Sequence, residues 1–119
     1  MKALSIKEPW ATMILEGKKT IETRTWKTKH RGKILLCASK NPKSEISGKA
    51  FAIAELVDCI EMKISHEEDA CCEVYPRANS WILKNIEIIN PFEVKGNLGL
   101  FEIEVREEGE KSYLEKLKE

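Results

Sequence analysis

Long apolar runs are missing from this 119-residue chain. None approaches the ~20 residues that a membrane-crossing helix needs, so no membrane partner is expected. The first residues lack the apolar core of a signal peptide, which leads us to expect a cytoplasmic protein. Metal-ligand spacing is missing too: there are two histidines, His30 and His66, and four cysteines with no C-x-x-C pair. Adjacent Cys71 and Cys72 cannot close an ordinary bridge, and Cys37 and Cys59 sit in apolar runs as small core residues. Reduced thiols, no structural metal and no cofactor are therefore expected. Nor is there a phosphate-cradling glycine loop, because Gly96-Asn97-Leu98-Gly99 has no helix after it. No nucleophilic Ser or Cys pairs recognisably with a histidine.

What is present is an ordinary globular composition, 42% apolar and 34% charged, in a chain long enough for one core. Net charge is zero but unevenly placed. Residues 1–49 carry twelve Lys and Arg against four Glu, a balance of +8, and residues 50–119 carry the opposite. Such a split predicts one basic surface and favours a phosphate-bearing ligand over an acidic protein. The alternatives are a surface on which both signs interleave after folding, and a protein-interaction domain that uses the acidic half.

Alternation predicts a first strand at 2–6, then a helix opened by Glu8-Pro9 and carrying Trp10, Met13 and Ile14. Gly17 should end that helix, and an extended segment follows at 20–24. A basic loop covers 26–32. Residues 33–39, apolar on both faces, read as a central strand, and 49–60 as the longest strand. There Phe51, Ile53, Val57 and Cys59 should share one face, and Ala50, Ala52, Ala54 and Leu56 the other. Glu55 either points inward or is turned out by a bulge. Ser65-His66-Glu67-Glu68 resembles a capping box for a helix of about two turns that Pro76 stops. A strand bulged near Lys84-Asn85, a turn at Asn90-Pro91-Phe92 and a last strand at 100–105 complete the pattern. The fold class expected is α+β: a small mixed barrel of five to six strands with two or three short helices. Residues 1–106 should form the domain. Residues 107–119 are a charged tail in which Tyr113, Leu114 and Leu117 would give a weakly amphipathic helix.

The candidate site is the stretch from Gly17 to Trp26. With a period of two, Thr20, Glu22 and Arg24 share one side, with Lys19 just before them at the turn. A carboxylate and a guanidinium on one face suit a nucleobase edge, or form an ion pair that stiffens a cleft. Lys19 would hold a phosphate or base edge as an ammonium, or act as base or nucleophile as a desolvated amine. Trp10 and Trp26 are candidates for base stacking, although a tryptophan on an apolar helix face, as Trp10 is, is more often core; Trp81 reads as core. Lys27, Lys29, His30 and Arg31 form a phosphate-contacting loop, or Arg31-Gly32 simply shapes the turn. Glu55 and Glu73 are the carboxylates available for acid–base work.

Several pieces together resemble the ASCH domain, of the PUA-like superfamily: Leu4-Ser5-Ile6-Lys7-Glu8-Pro9-Trp10-Ala11, with Glu8 where the family usually has glutamine, and Gly17-x-Lys19-x-x-Glu22-x-Arg24. Trp26-x-Thr28-x-His30-Arg31-Gly32, Ala38-Ser39-Lys40, Trp81 and Val94-Lys95-Gly96-Asn97-Leu98-Gly99 extend the match over roughly 2–105. The chain looks most like the branch found at the C-terminus of a eukaryotic transcription coactivator. The resemblance implies a barrel with a cleft beside the first helix, and a monomer that binds single-stranded RNA or a modified nucleoside. Lys7, Trp10, Lys19, Glu22, Arg24, Trp26, Lys27, His30, Arg31, Ser39, Lys40 and Lys95 would then be its contacts. A more distant bacterial branch is similar to amidohydrolases that deacetylate N4-acetylcytidine with a lysine, a threonine and a glutamate. Here those positions fall on Lys19, Glu22 and Glu73, and the missing threonine favours recognition over catalysis.

Overall fold

A strand that is apolar on both faces has to lie inside a sheet. In the computed structural model of the chain, which describes residues 1–104, β3 (Gly32–Ala38) is that strand. Ile34, Leu36 and Ala38 face one core, and Leu35 and Cys37 face a smaller one behind it. Burial pushes the Cys37 thiol up to about 12. β1 (Lys2–Ile6) runs parallel to β3, and β4 (Lys49–Glu61) runs antiparallel on its other side. β5 (Asn79–Glu93) follows β4, with β2 (Ile21–Arg24) at one edge and β6 (Leu100–Glu102) at the other. The order β2-β5-β4-β3-β1-β6 is the expected small α+β barrel, realised as a six-stranded sheet curled into a half-barrel with two short helices.

The first helix, α1 (Trp10–Leu15), is only six residues long and turns Ala11 and Ile14 into the larger core. Its exit follows from Gly17, which takes φ +78. Lys18 N–H donates to Met13 O and Gly17 N–H to Ile14 O, the paired bonds of a Schellman turn. That reversal sends the chain straight into β2.

Several local expectations are corrected by bulges. β4 slips register at Ala50/Ala52 and Leu56/Asp58, so the period of two does not run through it. Phe51 therefore joins Ala52, Ala54, Leu56 and Cys59 in the larger core, Ala50 moves to the smaller one with Ile53, and Val57 is exposed. Glu55 is half-buried and stands in register between Lys33 and Lys84. Residues 90–92 are not a turn, because β5 carries on to Glu93 past a register shift. The capping-box helix is a 3₁₀ turn (Ile64–His66) and a single turn α2 (Glu67–Ala70). His66 Nδ1, not Ser65, accepts the Lys63 N–H at its start. Left-handed Cys71, φ 58, ends α2 well before Pro76. The suggested tail helix and the end of the last strand at Val105 lie outside the described residues.

Candidate functional site

The open side of the half-barrel is where β2 comes round towards β1, and a cavity of about 650 Å³ lies there. Its volume is typical of a small-molecule pocket. Seven of the residues expected at the site line it. Lys7 and Trp10 come from the β1–α1 connection, Lys19, Glu22 and Arg24 from the helix exit and β2, and Trp26 and Ser39 from strand ends.

Three charged side chains from the signature form one network. Glu22 is buried; its Oε1 lies 3.3 Å from Lys19 Nζ and accepts the Thr23 N–H at 3.2 Å, and its Oε2 meets Arg24 Nη1 at 2.8 Å. Lys19 does not sit at the rim, as the turn position suggested, but is 1% exposed. Its ammonium also donates to Ala70 O, a helix-end carbonyl with no donor within α2. Two of its three donors are thus committed. Arg24 is the strap across the opening: Nη1 donates to Thr23 O and Nη2 to Ser5 O of β1, both at 2.9 Å. Burying a carboxylate beside two cations is sustainable because each of its oxygens meets a cation. The lining carries Lys7, Lys19 and Arg24 against Glu22, a balance of +2.

The tryptophans divide by exposure. Trp81 is wholly buried and donates from Nε1 to Trp26 O at 3.4 Å. Trp26 rests edge-on against it, ring centroids 4.7 Å apart, and is itself 37% exposed over the cavity. Trp10 is exposed to the same extent and faces the same space, not the core. Ala11 and Ile14 take the buried stripe of a helix too short to hide a third side chain.

The remaining expected residues lie elsewhere. Lys27, His30, Arg31, Lys40, Lys95 and Glu73 are not in the cavity lining. Arg31 shapes the turn, donating to Thr28 O and His30 O and lying 3.5 Å from Asp58. Glu73 is exposed. A Ser–His pair absent from the sequence reading does exist: Ser80 Oγ lies 2.8 Å from His66 Nδ1. Since Lys63 N–H donates to the same nitrogen, Ser80 must be the donor. Ser80 is fully buried outside the cavity, so the pair fastens the 3₁₀ turn before α2 to β5 and presents no nucleophile.

Sequence reasoning missed Thr23, Cys72 and Tyr75. Tyr75 OH donates to Thr23 Oγ1 at 2.8 Å, and Cys72 Sγ lies 4.0 Å from the same oxygen. Period-two parity sends Thr23 to the far face, which is why it escaped notice. Leu98 and its neighbours Asn97 and Gly99 close the last side. Gly96 is where this loop passes β1: a Cβ there would come within 3.0 Å of Ser5 Oγ. Next to Lys7 in the chain, Glu8 accepts from Thr12 N–H at 2.8 Å and Thr12 Oγ1 at 2.7 Å. Burial works to raise its carboxyl, but hydrogen bonds from Ser44 and Thr12 outweigh that and hold it below the ordinary value.

Comparison with known proteins points one way. A family model described as ASCH domain matches residues 4–95. Activating signal cointegrator 1 of Homo sapiens is 28% identical over a 129-residue alignment, and the Mus musculus protein of that name matches equally well. Each alignment covers 85% of this chain but 22% of the relative, so the chain spans about a fifth of those proteins. The crystal structure of ASCH from Zymomonas mobilis superposes with a TM-score of 0.70 at 17% identity, covering 98% of this chain and 94% of that one.

Proposed function

This chain belongs to the ASCH domain family, and we propose that its cavity is a nucleobase-binding site that takes one base of a single-stranded RNA or a modified nucleoside. One observation carries the reading: two half-exposed indoles and a pre-paired Lys19–Glu22–Arg24 network line the same nucleoside-sized space. The indoles offer stacking faces, worth ~1–3 kcal/mol per base. The third Lys19 donor and the unused guanidinium hydrogens of Arg24 offer donors to a base edge or phosphate, and the +2 balance suits an anionic ligand. The association of the family with RNA binding agrees with it.

Titrating the protein with nucleosides and oligoribonucleotides, followed by tryptophan fluorescence, tests the reading. Trp10→Ala should weaken binding about 5- to 150-fold and leave the fold intact, since that indole is not part of the core. No fluorescence change with any of these ligands at millimolar concentration sinks the reading. The amidohydrolase alternative gains no matching support. Lys19 is already ion-paired, and Glu73 stands outside the lining. Release of cytidine from N4-acetylcytidine would nonetheless replace recognition with catalysis.

A further inference from the structure

A second cavity, of about 450 Å³, is lined by Lys40, Lys43, Ser44, Ser47 and Gly48 on one side and Glu93 on another. The two linings come close to one another along the chain. Ser39 lines the first and Lys40 the second; Asn97 lines the first and Val94 the second. The Ser44 hydroxyl of the second lining is near enough to Glu8, next to Lys7 of the first, to help lower the Glu8 carboxyl pKa. One step of chain at Ser39–Lys40 and three at Val94–Asn97, at ~3.3 Å each, therefore separate the two linings.

The second cavity differs in character from the first. It contains no aromatic residue, and among the described residues neither Lys40 nor Lys43 takes part in an ion pair. Glu93, its one lining carboxylate, stands in register with Lys49. The Lys40 stem lies over Gly48, where a Cβ would stand 3.4 Å from Lys40 Cγ, so the side chain is laid along the cavity wall. Two lysines without carboxylate partners beside serine hydroxyls suit a phosphate rather than a base.

Resting on the nucleobase reading above, we infer that Lys40 and Lys43 form a phosphodiester subsite for the nucleotide next to the base in the tryptophan cavity. The ligand is then a strand of RNA and not a free nucleoside. Each added phosphate contact should steepen the salt dependence by about 0.7 in the log–log slope, the value for single strands.

The experiment compares nucleosides with oligoribonucleotides of two to four residues, in all four homopolymer series, on the wild-type chain and on Lys40→Ala/Lys43→Ala. Expected is a gain of about tenfold from nucleoside to oligonucleotide, the scale of one hydrogen bond to a charged group. The double variant should lose that gain and the matching part of the salt slope while binding nucleosides as before. Nucleoside binding with no gain on lengthening, or a gain that the double variant keeps, overturns the subsite and leaves the nucleobase reading standing. Absence of binding to nucleosides and oligonucleotides alike overturns both.

Discussion

Two neighbouring stretches of this chain are both rich in charge, yet the signature stretch is drawn into the cavity and the other stays at the surface. Residues 19–24 hold Lys19, Glu22 and Arg24; residues 27–33 hold Lys27, Lys29, His30, Arg31 and Lys33. The first stretch contains its own carboxylate, so its cations can be taken out of water against Glu22 and against the Ala70 and Ser5 carbonyls. The second contains none. Its lysines stay exposed, and Arg31 finds two local carbonyls and the side of Asp58. Net charge per stretch therefore misleads about which charges line the cavity. The balance of signs within a stretch decides which charges can be buried and held in place.

Removing the carboxylate that makes the difference should have the largest effect. Glu22→Ala leaves Lys19 buried without its counter-charge and frees Arg24 from its partner. Loss of a buried pair by truncating one member costs about 3–5 kcal/mol. Urea unfolding should show that loss, and a Lys19→Met/Glu22→Leu double variant should recover much of it. A Glu22→Ala protein as stable as the wild type would mean that the network is solvated and that the two stretches do not differ in kind.

The same contrast explains what was legible beforehand. Strands β1 to β5 and the exit of α1 follow from apolar periodicity and from Gly17, because those signals are local. The signature residues were legible as a group. Their depth was not: that Lys19 reaches Ala70, fifty-one positions away, depends on α2, whose length the sequence overstated. Tyr75 and Cys72 come to Thr23 the same way, through a connection with no periodic pattern. On β4 and β5, bulges move Phe51 and Ala50 to unexpected faces, and nothing in a run of alanines marks a bulge. Trp10 was ambiguous because a helix of six residues has too little length for its apolar stripe to be defined.

Glu8 lies between the two extremes, half-buried and held by Thr12 and Ser44. Its carboxyl is held below the ordinary 4.5, so it contributes stability above its unfolded pKa and loses it as pH falls through the folded value. Glu8→Gln keeps an oxygen for the Thr12 N–H and removes the charge. Thermal unfolding measured from pH 7 down to pH 3 should show the wild type losing its advantage over Glu8→Gln below about pH 4.5. Parallel curves across that range would show that the charge contributes nothing to folding.

The smallest effect belongs to the exposed stretch. Lys27→Ala/Lys29→Ala removes two cations that stay out of the lining of the tryptophan cavity and join no ion pair among the described residues. Stability should stay within about 0.5 kcal/mol of wild type, as for surface substitutions away from caps, cores and buried pairs. Exposed charges act at a distance through the field they set up, so their loss should slow association with the RNA ligand proposed above at low salt and leave dissociation unchanged. Stopped-flow fluorescence separates the two rates. Faster dissociation in the variant would show that these lysines touch the bound strand after all, and the line drawn between the buried and exposed stretches would have to move to include them.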